Sequence, residues 1–241
     1  MRIFARLDIK NEKVIKGINF EGLRKIGDPL ILAKNYYEQK IDEILLIDAV
    51  ASLYRRNNLF EIIKKITKEI FCPITLGGGI RNLKDIESAL SSGVDKIAIN
   101  SYATEKPKFL KEAIKNFGSS TIVSNIEAKK IDKNWEVYKY YGREKTGYTI
   151  IDWIKIVQDF GCGEILLTSI DKEGTQNGLD YDLLNFVYHK INCPLIFSGG
   201  FNAIQDLKKL RKLKKIKNLS ISVASALHYK DVTVKEIKKN V

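Results

Sequence analysis

The chain has 241 residues, with 41 Lys+Arg against 29 Asp+Glu, a formal net charge of +12 and a 44% hydrophobic content. That is ordinary globular composition and excludes a disordered or collagen-like chain. Two histidines and three scattered cysteines (Cys72, Cys162, Cys193) exclude a His-rich metal site and a disulfide framework.

The N-terminus carries charges at Arg2, Arg6 and Asp8, which argues against a signal peptide. No uncharged apolar run approaches the roughly 18 residues of a membrane span. The expectation is a cytoplasmic protein of a reducing compartment, with no membrane partner, no metal and no cofactor.

Short apolar runs that suit buried parallel strands appear at Ile3–Leu7, Glu43–Ile47, Ile74–Leu76, Lys96–Ile99, Thr121–Ser124, Glu164–Thr168, Leu195–Phe197 and Leu219–Val223. Between them, apolar residues recur at helical spacing in Leu30–Tyr37, Leu83–Leu90, Phe109–Ile114 and Ile150–Val157. Asp28-Pro29 reads as a helix start, with Asp as N-cap and Pro at the first helical position. Strand and helix alternating eight times without a linker predict one (β/α)8 barrel over residues 1–241. An open doubly wound sheet is the rival.

An internal repeat weighs against that rival. Glu43–Leu46 recurs at Glu164–Leu167, Cys72-Pro73 at Cys193-Pro194 and Gly78-Gly79 at Gly199-Gly200, all at an offset of 121. The barrel is therefore expected to consist of two similar half-barrels, about residues 1–120 and 121–241, each covering the other's sheet edges.

The charge invites a nucleic-acid reading, but the lysines are dispersed along the polar faces of helices. The densest run, Lys208–Lys217, has apolar residues at 210, 213 and 216 and no interleaved aromatics for base stacking. A solvated lysine surface with no nucleic-acid partner is the expectation.

Function in such a barrel gathers at the C-terminal ends of the strands. Gly77–Gly79 and Ser198–Gly200 each end a strand and precede a helix, where bare N–H groups attract phosphate. Each lies beside a small polar strand end, Asn100-Ser101 or Ala224-Ser225. One such turn is well explained by chain reversal alone. Two matched turns point to two phosphate cups and an elongated, doubly phosphorylated small molecule.

Asp8 and Glu127 end strands one and five, which oppose each other in an eight-stranded barrel, so they read as a general acid and base pair. Asp48, Asp171 and Glu173 also sit at strand ends, where helix capping or a loop salt bridge is the simpler role. The histidines and cysteines offer no nucleophile–base set, and Cys72 and Cys193 read as buried small hydrophobes. Arg2, Glu43, Lys96 and Glu164 begin strands at the opposite end and could neutralise one another as a plug.

These residues resemble the cyclase subunit of imidazole glycerol phosphate synthase. The resemblance is carried by Leu7–Lys10, Val14–Glu21, Gly27–Pro29, Gly77–Arg81, Ile99–Ser101, Gly163–Ser169, Asp171–Thr175 and Ser198–Gly200, and is collinear over nearly the whole chain. It implies a two-fold-repeated barrel working with a glutamine amidotransferase subunit. Ammonia released there crosses the barrel to a bisphosphorylated ribulosyl-formimino intermediate, giving imidazole glycerol phosphate and an aminoimidazole carboxamide nucleotide in histidine biosynthesis.

By the same resemblance, Asp8 is the first catalytic carboxylate and Lys16 the lysine of a closing loop. Gly79 with Asn100 and Ser101 would form one phosphate cup, and Gly174 and Gly200 with Ala224 and Ser225 the other. Thr168 and Ser198 fall inside matching motifs and are counted with the substrate-binding residues. Arg2, Glu43, Lys96 and Glu164 become the gate where ammonia enters. Glu127 and Glu173 stand where that family carries aspartate, and Phe201 where it usually has a small residue. The alternative implied by these departures is an ammonia-channelling subunit that supports amidation of a surface-polysaccharide sugar.

Overall fold

The computed structural model describes residues 1–54, 59–213 and 216–241. Eight parallel strands, one to eight in chain order, are Ile3–Lys10, Glu43–Asp48, Ile74–Gly77, Lys96–Ile99, Ile122–Ile131, Glu164–Ser169, Leu195–Ser198 and Leu219–Val223. Each pairs with its neighbours in sequence order, and strand eight returns to strand one through Ile3↔Ile221 and Phe4↔Ser222. The sheet is closed and has helices between its strands: a (β/α)8 barrel.

Side-chain alternation divides the apolar residues between two cores. On strand one, Ile3, Ala5, Leu7 and Ile9 face the helices in the larger cluster. Phe4 points inward, joining Leu45, Ile47, Ala98, Val123, Leu166 and Ile196 in a separate layer inside the barrel. Helix Pro29–Glu38 starts as its sequence dictates, with the Asp28 carboxylate accepting from the N–H groups of Leu30 and Ile31. A cap of this kind stabilises its helix by about 1 kcal/mol.

Strands one and five run past their apolar patterns, because each continues into a β-hairpin. The first comprises Lys13–Ile18 and Glu21–Gly27, the second Asn134–Lys139 and Glu144–Thr149. These segments are rich in charge and supply only Val14, Trp135 and Val137 as buried members of the main core, so hydrophobic periodicity passes over them. A turn signal was present, however. Asn11 and Glu12 both take positive φ, 47° and 62°, between the paired residues Lys10 and Lys13, the geometry of a two-residue type I′ turn.

The hairpin tips, Asn19-Phe20 and Tyr140-Tyr141, also lie 121 residues apart and all four residues have positive φ. Phe20 and Tyr141 meet with ring centroids 4.0 Å apart. With Ile15, Ala49, Tyr138 and Ile170 they form a third small apolar cluster over the barrel mouth.

The glycine turns match as well. A Cβ on Gly78 would lie 2.4 Å from the carbonyl oxygen of Asp48, and one on Gly199 would lie 2.7 Å from that of Ser169. Neither turn therefore tolerates a side chain.

The helix Ala203–Leu213 holds most of the lysine-rich run, of which Lys214 and Lys215 lie outside the described residues. No helix among the described residues is long and apolar enough to cross a membrane. The cysteines need a correction: Cys162 is buried, whereas Cys72 and Cys193 are only half-buried. Both precede a proline where the chain enters a strand at the barrel's rim, short of the core.

Candidate active site

At the N-terminal end of the barrel the four charges expected to neutralise one another do meet. Arg2 bonds Glu43 at 3.3 Å and also pairs with Glu164. Lys96 Nζ lies 2.9 Å from Glu43 and 3.0 Å from Glu164. The Thr75 hydroxyl donates to Glu43 as well. Two cations and two anions thus close a ring, and Phe4 backs it from inside, its ring centroid 5.1 Å from the Arg2 guanidinium.

Above the apolar layer the interior turns polar and charged. Asp8 is wholly buried, yet both carboxylate oxygens are held: Arg6 Nε donates to Oδ1 at 2.9 Å and Lys16 Nζ to Oδ2 at 3.1 Å. Burial opposes its charge, but the two cations prevail and keep Asp8 below the usual carboxylate range. Lys16 also pairs with Glu173, so a chain of alternating charges runs Arg6, Asp8, Lys16, Glu173. The hairpin carrying Lys16 is held down further by the Asn19 N–H, which donates to the Glu173 carbonyl at 2.7 Å. Gly174 is indispensable to that closure, since a Cβ there would fall 1.9 Å from the Gly17 carbonyl oxygen.

Glu127 occupies the equivalent place in the second half. Asp8 pairs in register with Ile47, and Glu127 with Thr168, positions 121 apart. Its carboxylate accepts one hydrogen bond at 2.8 Å from the Gly142 N–H of the second hairpin. Burial dominates and pushes Glu127 up to about 7, against the weaker opposing pull of Arg6 and that N–H. The two carboxylates therefore differ in protonation at neutral pH.

Two cavities flank this centre. The first is lined by Gly79, Asn100, Ser101 and Glu127, with Asp48 and Ser52. The second is smaller and is lined by Gly174, Ser198, Gly200, Ala224 and Ser225, with Phe201 on its wall. Lys16 and Gly174 also border a larger groove beneath the first hairpin. Asp8 and Thr168 line neither cup. Thr168 is fully buried, and its hydroxyl accepts from Arg6 Nη1 at 2.8 Å. It is thus placed beside the guanidinium of Arg6, next to the centre.

Other strand-end acids do structural work. Asp48 accepts from the N–H groups of Val50 and Ala51, and Asp171 from that of Lys130. Ser101 accepts from the Tyr140 N–H at 2.9 Å, so it anchors the second hairpin as well as lining its cup.

Sequence reading missed Arg6, although its signal was legible: a charge at an inward position of an apolar strand, midway between Phe4 and Asp8. It also missed Phe20 and Tyr141, which only the hairpins bring to the mouth.

Comparison with known proteins agrees with this geometry. Residues 2–233 match the family model described as histidine biosynthesis protein. The chain belongs to that family. Among family relatives named imidazole glycerol phosphate synthase subunit HisF, that of Lactococcus lactis subsp. cremoris (strain MG1363) is 44% identical over 240 residues, covering 99% of this chain and 92% of the relative. The Legionella pneumophila protein is 47% identical over 207 residues, 86% of this chain and 98% of its own length. That of Thermococcus onnurineus (strain NA1) is 40% identical over 238 residues, 99% of this chain and 93% of the relative.

Proposed function

We propose that this chain is the ammonia-using cyclase subunit of an imidazole glycerol phosphate synthase in histidine biosynthesis. Its substrate is the bisphosphorylated ribulosyl-formimino-aminoimidazole carboxamide nucleotide. Its partner is a glutamine amidotransferase subunit docked at the charged ring on the N-terminal face. The relatives carry the synthase name, and the sugar-amidation alternative gains no support from them.

The observation that carries this reading is the pair of opposed buried carboxylates between two glycine-lined cups. The cups hold the phosphates through backbone N–H groups, including that of Gly79 in the first and Gly200 in the second. Asp8, kept ionised by Arg6 and Lys16, accepts a proton from the attacking nitrogen. Glu127, which retains a proton near neutral pH, supplies one to the substrate. The ring of Arg2, Glu43, Lys96 and Glu164 admits ammonia, and the two half-barrels each contribute one carboxylate and one cup.

Purified protein given the bisphosphate substrate and excess ammonium salt should form both products without the amidotransferase. Absence of turnover by the unaltered chain would overturn this function.

A further inference from the structure

We propose that Arg6 is a catalytic residue of this site: its Nη2 group receives the oxygen of the substrate's ribulosyl carbonyl as ammonia adds to the adjacent carbon. The inference rests on the cyclase reading above and assigns a role to a residue that reading leaves with only a supporting one.

The placement of Arg6 comes first. Its Nε bonds Asp8 on strand one, and its Nη1 bonds Thr168 on strand six, which pairs in register with Glu127. The guanidinium therefore spans the barrel between the two carboxylates, at their level. The first cup opens on the Glu127 side and the second on the Glu173 side. Arg6 lines neither cup, so a ligand with a phosphate in each would reach it where its middle crosses the carboxylate centre between them.

One end of the guanidinium is also left without an acceptor. Arg6 is fully buried, yet Nη2 has no hydrogen-bond partner, although Nε and Nη1 each have one. A buried charged N–H left unpaired is costly, and a ligand oxygen would supply the partner it lacks. Four further unpartnered atoms belong to cup-lining residues: Asn100 Oδ1 and Asn125 Oδ1 in the first, Ser222 Oγ and Ser225 Oγ in the second. The row of unmet polar atoms follows the path an elongated ligand would take. Phe20 covers Arg6 at 5.5 Å from its ring centroid, so the guanidinium meets the ligand's middle once that ring moves aside.

The chemistry fits a carbonyl. A guanidinium fixed on two sides, in an interior closed to water, suits the charge that develops when a carbonyl is attacked. The nitrogen lone pair forms the new C–N bond, and the carbonyl π pair moves onto oxygen, against Arg6 Nη2–H. Glu127 gives that oxygen a proton while Asp8 takes one from the nitrogen, leaving a neutral carbinolamine. The charged and titratable groups facing Arg6 are Asp8, Lys16, Glu173, Glu127 and Tyr141.

The test compares Arg6→Met, Arg6→Lys and Arg6→Ala with the unaltered chain under saturating ammonium. Arg6→Met should lower kcat by roughly 10²-fold, the loss seen when one oxyanion donor is removed, with a much smaller change in substrate KM. Guanidinium salt should restore part of the Arg6→Ala loss, and Arg6→Lys should be a poor substitute because it lacks the fork. Thr168→Val, which removes the anchor but preserves shape, should show a milder fall in kcat.

Arg6→Met with unaltered kcat, or a loss confined to KM, would overturn the assignment while leaving the cyclase function standing. So would failure of guanidinium to restore any turnover to a folded Arg6→Ala protein. Inertness of the unaltered chain would remove the cyclase reading and this step with it.

Discussion

The ends of strands one and five occupy matching places in the two halves, yet they create opposite electrical environments. Asp8 follows an inward-facing Arg6 and is reached by Lys16 from the first hairpin. Glu127 follows Asn125, which brings no charge, and receives one backbone N–H from the second hairpin. Burial alone raises a carboxylate's pKa; adjacent cations reverse the effect. One carboxylate is thus fixed as an anion, and the other holds a proton near neutral pH. Two copies of one geometry become an acid and a base through the residue two positions upstream.

The strongest challenge to this contrast is Asp8→Asn. It removes the ionised partner and should lower turnover by about 10³-fold, within the span of general acid–base effects, while the melting transition remains cooperative. Retained activity would show that charge at this strand end is dispensable.

Glu127→Gln tests the other side. Turnover should fall by about 10²-fold. In the unaltered enzyme the acid limb of catalysis should decline as pH rises through about 7, where Glu127 loses its proton. Stability carries the same signature. The folded pKa of Glu127 lies above its ordinary value of 4.5, so the folded state binds the extra proton between those limits. Its contribution is therefore complete below pH 4.5 and lost as pH climbs through 7. Denaturant titrations should show Glu127→Gln stabilised at pH 8 by roughly 3 kcal/mol relative to its effect at pH 4. Equal effects at both pH values would remove the assigned asymmetry.

Lys16→Met probes the hairpin that supplies the first half's extra cation. It leaves Glu173 buried without its partner, so the first hairpin should become accessible to limited proteolysis and substrate KM should rise severalfold. The smallest effect is expected in the second cup. Phe201→Ala should widen this cup toward the size of the first and alter kcat/KM by only a few-fold. A large change would mean that Phe201 does more than narrow the space.

Much of the fold was legible because parallel strands buried on both faces read as apolar runs, and because short motifs recur at one interval. The cups were legible for a related reason, since glycines pressed against backbone leave a mark no other residue can replace. The hairpins were not, because their few apolar residues are split between the main core (Val14, Trp135, Val137) and a small cluster at the mouth, among many charges. With them went the contacts of Lys16, Phe20 and Tyr141. The link between Thr168 and Arg6 was not legible either, because a motif match locates a residue along the chain but not the partner its hydroxyl finds. Arg6 itself was overlooked because strand one read as apolar despite it.

The contact between Phe20 and Tyr141 has a consequence for the two hairpins. Each ring belongs to a different hairpin, and each shields the other at the mouth. Lifting one tip breaks the ring contact and bares apolar surface on the other, so each closed hairpin favours closure of its counterpart by about 1 kcal/mol, the size of one aromatic pair.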